Sequence, residues 1–204
     1  TDTNLLVDQI TSNSVESLVN TSDQFAGHHF SLDFVTDKRH NPSYQKSLKP
    51  VINRSEYNQF TREREIEEYK EELKNHVPQH ILSQPVGSDA SLVFYTLLKA
   101  IKHSQEGNYE RADIWILSDL LNKDEKFDVY DPDDFALLTY NKDSVYRILD
   151  CYFQIEDISN KIVVHFRYLP SNSQTDIRFD RMANLLKEYL KQKGIAVSIS
   201  STLP

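Results

Sequence analysis

The sequence predicts an α/β protein, a three-layer sandwich whose central sheet is mainly parallel. Residues 114–117 and 162–166 are short, continuous apolar runs, which are typical of strands covered on both faces. A helical spacing of apolar residues precedes the first run, and a second helical pattern follows the other one. Because strands and helices alternate in this way, we expect crossover connections, parallel strands and helices on both faces of the sheet.

The first half of the chain contains two predicted helices and one predicted strand. An apolar pattern that begins at Leu6 predicts an opening helix, and we expect the strand that usually precedes such a helix to be absent. Residues 29–35 alternate apolar and polar positions, which predicts a strand with one wetter face. Residues 62–74 are dense in charge and predict a surface helix. Pro78 is expected to disrupt any helix that would place the histidines on either side of it on one face.

The second half adds two helices and a last strand. Ser88 is predicted to cap a helix whose apolar stripe begins at Val93. Residues 173–176 form a capping box that predicts another helix, and Gly194 stands where that helix needs a left-handed residue at its end. Residues 195–199 follow as the last predicted strand.

The length of the chain and the two loops expected within it indicate one domain. A chain of 204 residues suits a single domain, and we expect that domain to span residues 1–204. Residues 39–55 and the acidic residues 122–134 are expected to be loops. The second loop is rich in Asp but lacks the ligand spacing and central glycine of a calcium loop, so a solvated loop is the preferred interpretation.

Charge and hydropathy narrow the classes of partner. With 23 basic and 31 acidic residues, the formal net charge is −8, so the surface repels phosphate and nucleic acid is not expected as the main partner. No apolar run approaches the roughly 18 residues that a membrane span requires, so we expect no membrane-spanning segment. The single cysteine, Cys151, lies in an apolar string and is expected to be buried and inert. One cysteine permits no internal disulfide, and we expect a soluble, cytoplasmic protein.

Sequence motifs for nucleotide binding and nucleophilic catalysis are absent. The chain has four glycines, and they form neither a Gly-x-Gly-x-x-Gly run nor a phosphate loop. No Gly-x-Ser-x-Gly elbow is present either. These absences favour a non-catalytic protein over an enzyme.

Ser118 and Asp119 are the most informative polar residues, because they directly follow the first apolar strand. In open parallel sheets, ligands bind at the carboxyl edge, where loops diverge and helix N-termini converge. Ser88 should lie at the same edge, and Asp37 and Ser171 complete the expected binding edge. A carboxylate with nearby hydroxyls suits Mg²⁺ or Mn²⁺. The simpler interpretation, in which Asp119 caps the turn after the strand, stays open.

Residues 87–89, the apolar helix that follows them and residues 116–119 together resemble the second half of a von Willebrand factor A-type (VWA) domain. The resemblance covers residues 88–204, and it extends to residues 1–37 by pattern only. It implies a Rossmann-like, doubly wound sheet with a metal-ion-dependent adhesion site at the carboxyl edge.

The same resemblance implies metal-ligand roles for particular residues. Thr1 and Thr3 would correspond to the hydroxyl ligands of the family's Asp-x-Ser-x-Ser run, with the leading aspartate upstream of Thr1. Ser88 would match the threonine of the family's second metal loop, and Asp119 would match its aspartate. Leu120 stands where the family commonly has glycine, so the implied Mg²⁺ or Mn²⁺ site is a degenerate one.

Three functions follow from these observations. The favoured hypothesis is a non-catalytic protein-interaction module, whose sheet edge captures a carboxylate or another acceptor of a partner protein, with or without metal. One alternative is an enzyme that uses Asp119, Asp37 and Asp33 for metal-assisted hydrolysis or phosphoryl transfer. Another is a structural subunit of a larger assembly, in which other sequence supplies the first strand.

Overall fold

The structure is a computed structural model that describes residues 23–35, 44–53, 57–83, 91–107, 109–152, 154–155, 161–168 and 173–200. In chain order these residues form β1 (His28–Leu32), β2 (Tyr44–Leu48), α1 (Gln59–Leu82), α2 (Val93–Glu106), β3 (Ala112–Leu117), α3 (Pro132–Tyr140), α4 (Lys142–Asp150), β4 (Ile162–Arg167), α5 (Ser173–Gln192) and β5 (Ala196–Ser200). The predicted opening helix lies outside the described residues.

The chain divides into two compact units. Among the described residues, the smaller unit holds residues 23–34 and 44–83, and the larger unit holds Val35 and residues 91–200. The prediction of one domain over residues 1–204 stays a prediction.

In the smaller unit, β1 and β2 pair antiparallel, and β2 contacts helix α1. The prediction that residues 39–55 form a loop is wrong for Tyr44–Leu48, which is strand β2. The strand has a single buried side chain, Leu48, so its apolar signal is weak, and pairing with β1 stabilises it. β1 itself ends at Leu32, three residues before the predicted strand does.

Helix α1 continues through Pro78 and ends at Leu82, so the prediction that proline disrupts the helix is wrong. A buried stripe that includes Leu73, Val77 and Ile81 spans the proline and keeps the last turns packed. His76 and His80 therefore lie on one face, with their rings 6.1 and 6.0 Å from the ring of Tyr44. No helix in the described part of the chain is long and apolar enough to cross a membrane.

The larger unit is built on a three-stranded parallel sheet with the order β3-β4-β5. Ile114 lies opposite Val164, which lies opposite Val197, so apolar residues of all three strands share one face. That face packs against helices α2 to α5 in one continuous core. The predicted parallel strands and the mixed α/β class are confirmed.

Helix α2 begins at Val93, and its N-cap position is Leu92, so the prediction that Ser88 caps this helix is wrong. The cap comes from a distant residue. The side-chain oxygen of Asn122 accepts a hydrogen bond of 3.0 Å from the backbone N–H of Phe94. Asn122 is fully buried, and its amide donates to the carbonyl of Phe127, which fixes its orientation. At the other end of the chain, Gly194 has a φ of 74° just after α5, as predicted.

Residues 132–150 form two helices that the sequence analysis did not anticipate. The side chain of Asp131 caps α3, and Pro132 occupies the first turn, a combination that starts helices. The predicted loop over residues 122–134 is irregular before Pro132, and Phe127 and Val129 anchor it in the core. The prediction is wrong for its last three residues, which form the first turn of α3. Cys151 follows α4 and is exposed, so the prediction of a buried thiol is wrong: it comes two residues after the buried Leu149 and therefore lies off the buried face of the helix.

Candidate functional site at the carboxyl edge of the parallel sheet

Three of the residues predicted for a site lie within the described part of the chain. One of them, Asp33 of the enzyme alternative, directly follows β1 in the smaller unit. Ser118 and Asp119 directly follow β3, at the carboxyl edge, as expected. The remaining predicted residues lie outside the described residues: Thr1, Thr3, Asp37, Ser88 and Ser171.

Ser118 and Asp119 organise a tight turn. The Ser118 hydroxyl oxygen accepts from the backbone N–H of Leu120 at 3.0 Å, and Asp119 Oδ1 accepts from the N–H of Leu121 at 3.2 Å. The Ser118 hydroxyl lies 3.4 Å from the same carboxylate oxygen. Asp119 therefore caps the turn after β3, which is the simpler of the two interpretations that the sequence allows.

Leu120 has an unusual backbone conformation at this turn. Its φ is 58°, in the left-handed region, and it is the single non-glycine residue with positive φ among the described residues. A side chain in this conformation costs roughly 1–2 kcal/mol. Leu120 is 0% exposed, so core packing offsets the strain and holds Ser118 and Asp119 at the edge. Strained residues of this kind concentrate at functional sites.

Arg167, the last residue of β4, is a buried charged residue at this edge. It lies opposite Leu117 in β3 and Ser200 in β5, and its carbonyl accepts from the backbone N–H of Ser118 at 3.3 Å. Arg167 is only 9% exposed, and its Nε and Nη1 atoms have no hydrogen-bond partner among the described residues. Burial lowers the pKa of its guanidinium, which nevertheless stays protonated.

The indole of Trp115 lies beside Arg167. The guanidinium carbon is 4.6 Å from the centroid of the Trp115 ring, which is a cation–π contact. The indole nitrogen of Trp115 is enclosed, and it too lacks an acceptor within the described part of the chain. His165 stacks on the same ring, with centroids 4.0 Å apart and planes 12° apart. Three buried N–H groups of Arg167 and Trp115 are thus available in one place.

A chain of hydrogen bonds across the three strands holds His165 in position. Nε2 of His165 lies 2.9 Å from Asp113 Oδ1, and Nδ1 lies 2.7 Å from the Ser198 hydroxyl. Arg111 donates two hydrogen bonds to Asp113. Burial alone would raise the pKa of Asp113, but hydrogen bonds and charge from Arg111 and His165 outweigh burial and lower it. Since an ionised carboxylate only accepts, Nε2 carries the proton in the neutral ring and Nδ1 accepts from Ser198.

The rim of the edge carries a second aromatic–cation pair. Burial raises the pKa of Tyr130, and the Asp119 carboxylate raises it further, so the two side chains are near each other. The guanidinium carbon of Arg178 lies 5.2 Å from the Tyr130 ring. This pair is more exposed than the pair of Arg167 and Trp115, because Tyr130 is 47% exposed.

The described residues contain no group of three or more His, Cys, Asp or Glu side chains placed to bind a metal ion. Asp119 is the single carboxylate of the predicted ligand set that the structure describes. The prediction of a Mg²⁺ or Mn²⁺ site therefore stays a prediction. Arg167 was not among the predicted site residues, although a basic residue directly after the apolar run at 162–166 was a signal for it.

The fold and this edge define a mixed α/β protein with a parallel sheet and a polar site at the carboxyl ends of its strands. Comparisons of the chain with family models, with curated proteins and with solved structures find no match. Function is therefore inferred from the site alone.

Proposed function

We propose that the chain is a non-catalytic protein-interaction module that binds a partner protein at the carboxyl edge of its parallel sheet. The observation that carries the proposal is the turn at residues 118–121. At this turn Leu120 has a strained, left-handed backbone that a glycine would adopt without strain. Hydrogen bonds to the backbone of the turn hold Ser118 and Asp119 at the edge of the sheet.

The proposal includes a Rossmann-like, VWA-like, three-layer architecture. Two observations support it: the parallel order β3-β4-β5, and the left-handed conformation of Leu120 at the position where that family commonly has glycine. It also includes a weak Mg²⁺ or Mn²⁺ site at Asp119, completed by Ser88, Thr1 and Thr3. A single described carboxylate is a poor ligand set, so the module must also be tested without metal.

The test is comparative capture of partner proteins on the immobilised chain, with wild type, Asp119→Asn and Asp180→Asn in parallel. Asp119→Asn keeps the oxygen that accepts from Leu121 and removes only the charge. Asp180 is an exposed aspartate of α5 and serves as the matched control. We expect the same proteins on wild type and Asp180→Asn, and at least about tenfold less on Asp119→Asn, the loss of one charge-assisted contact.

Each capture is repeated with Mg²⁺ and with EDTA. Loss of the partner in EDTA would support the metal site, and equal capture would support a metal-free edge. Identical protein sets on all three chains would contradict the interaction module at this edge.

A further inference from the structure

We propose that Arg167 and Trp115 form a binding site for a carboxylate group of the partner protein. The inference rests on the interaction module proposed above and names the chemistry that its edge recognises. It begins from the three N–H groups at Arg167 Nε, Arg167 Nη1 and Trp115 Nε1, which are buried and have no acceptor among the described residues.

Buried donors without acceptors are costly, and a buried cation without a counter-ion is more costly still. In folded proteins nearly all buried polar groups form hydrogen bonds. Buried N–H donors that lie together without an acceptor therefore indicate where an acceptor is missing. Arg167 is nine-tenths buried, so bulk water cannot reach most of its fork. No described residue provides this acceptor, and a negatively charged group that enters the site would supply it.

A carboxylate fits this site better than a phosphate does. One guanidinium supplies one positive charge, which matches the single charge of a carboxylate, and its buried Nε and Nη1 atoms each provide a charge-assisted donor. The surroundings are acidic: Asp113 lies on the same face of the sheet, Asp119 lies at the edge, and the chain has a net charge of −8. A dianionic phosphate would be repelled by these charges, and no second cation contacts Trp115 within the described residues.

The site is held ready for its ligand. His165 stacks on the Trp115 ring, and Asp113 and Ser198 fix both ring nitrogens of His165. The cation–π contact keeps the guanidinium of Arg167 over the indole. Because these groups are positioned before binding, a ligand loses little affinity to their ordering.

The single tryptophan of the chain provides a direct test. In a ¹⁵N–¹H correlation spectrum the indole N–H of Trp115 gives one tryptophan side-chain signal, and that N–H is one of the donors without an acceptor. Acetyl-glutamate N-methylamide is titrated as a side-chain carboxylate, acetyl-alanine as a C-terminal carboxylate, and acetyl-glutamine N-methylamide as the neutral control. Inorganic phosphate is the competing anion.

We expect a saturable downfield shift of the indole signal with at least one of the two carboxylates and none with the glutamine compound. Whichever carboxylate binds more tightly identifies its source as a side chain or a chain terminus. Arg167→Gln should weaken binding by at least about tenfold, as the loss of a charge-assisted hydrogen bond does. Arg64→Gln, which removes an exposed arginine of helix α1 in the smaller unit, should leave the titration unchanged.

A second variant separates binding from folding. Arg167→Met replaces an unpaired buried charge with an apolar side chain, so the ligand-free protein should melt at the same temperature or higher. The carboxylate should raise the melting temperature of wild type and not that of Arg167→Met. A large fall in the melting temperature of Arg167→Met would show that the guanidinium has a structural partner and would overturn the inference.

The inference is also overturned if the indole does not respond, responds equally in Arg167→Gln, or responds more to phosphate than to either carboxylate. Its failure can be distinguished from failure of the interaction module. If capture depends on Asp119 but the indole signal does not respond, the interaction module is supported and the carboxylate site is contradicted. If the indole signal responds but capture does not depend on Asp119, the carboxylate site is supported and the interaction module at this edge is contradicted.

Discussion

Among the described residues, two arginines are buried, and their guanidinium groups have very different surroundings. Arg62 is 3% exposed and donates to the carbonyl oxygens of Gln24, Ala26 and Lys49, so its charge is fully used inside the smaller unit. Arg167 is similarly enclosed, but two of its nitrogens have no acceptor within the described chain. The same residue type is thus structural in one place and a candidate ligand-binding group in the other.

At the residue scale, the strain at Leu120 can be measured by comparing glycine and alanine. Leu120→Gly and Leu120→Ala both remove the buried side chain beyond Cβ and differ only by the β-methyl group. Glycine accepts the left-handed φ, so Leu120→Gly should be more stable than Leu120→Ala by about 1 kcal/mol. At Leu121, whose φ is not positive, the order should reverse by a similar amount. Urea unfolding of the four variants measures both differences. The same order at both positions would show that Leu120 is unstrained.

His28 provides a prediction about pH. Burial lowers its pKa below the usual 6.5, the charge of Arg62 lowers it further, and Asp23 only partly opposes them. The unfolded chain therefore takes up this proton first as the pH falls. The contribution of His28 to stability is complete above pH 6.5 and is lost as the pH falls from there through the folded pKa.

His28→Gln should remove that part of the pH dependence. The free energy of unfolding of wild type and variant is measured by urea titration at several pH values from roughly 5 to 8, the range in which histidine titrates. The difference between the two proteins should change across the lower half of that range. A constant difference would contradict the prediction.

At the scale of the element, helix α1 shows how packing overrides local preference. Proline lacks the N–H that would donate to the carbonyl four residues earlier, and its ring crowds that carbonyl. The helix nevertheless continues past Pro78, because Leu73, Val77 and Ile81 are buried on one side of it. Sequence rules identified the helix and misplaced its end, because they weigh the backbone and not the surface that the last turn covers.

Pro78→Ala should stabilise the protein by about 1–2 kcal/mol. An interior proline costs about 3 kcal/mol in a helix, and the stiffer unfolded chain that proline provides offsets part of that cost. Gln79→Ala, one position further on the exposed side, should change stability by less than about 0.5 kcal/mol. Urea titrations of both variants provide the measurement. Destabilisation by Pro78→Ala would show that packing of the proline ring contributes more to the free energy of unfolding than the restored hydrogen bond does.

The strands show which elements a sequence reveals. β3 and β4 were predictable because their apolar runs are continuous, and so was their parallel pairing. β2 was not predictable, since it alternates half-buried and exposed residues and depends on β1 for its hydrogen bonds. The start of α2 was misplaced for a related reason: its capping residue, Asn122, is far away in the sequence.

The candidate site divides in the same way. The carboxyl-edge position of Ser118 and Asp119 follows from the end of an apolar strand and the parallel order of the sheet. The role of Arg167 depends on its burial against Trp115, a residue of another strand. No spacing along the chain encodes that contact, so the charge that distinguishes the site could be found only in three dimensions.

At the scale of the whole molecule, the two compact units can be observed separately. Trp115 is the single tryptophan and lies in the larger unit, so its fluorescence reports on that unit, whereas far-ultraviolet circular dichroism reports on both. The core cluster that contains the parallel sheet consists of residues from Val93 to Ile195. The buried residues of the smaller unit lie on α1 and at Leu48.

Arg62→Lys should therefore shift the unfolding midpoint seen by circular dichroism and leave the midpoint seen by Trp115 fluorescence unchanged. Lysine keeps the charge but cannot reach three carbonyls at once, which should cost about 2–4 kcal/mol in the smaller unit. Leu97→Ala, in the core of the larger unit, should move the fluorescence midpoint by a loss of about 2–5 kcal/mol. Coincident shifts by both probes would support a single cooperative domain.

The remote cap of helix α2 has a consequence for the order of folding. Its N-terminal turn is capped by Asn122, a residue 28 positions further along the chain, and Asn122 is itself oriented by the carbonyl of Phe127. Closing that loop costs conformational entropy, and contacts local to the helix do not offset it. The cap should therefore form late in folding, with the other nonlocal contacts. Helix α2 can nucleate early from its own apolar stripe, but its first turn should remain frayed until β3 and the segment after it have docked.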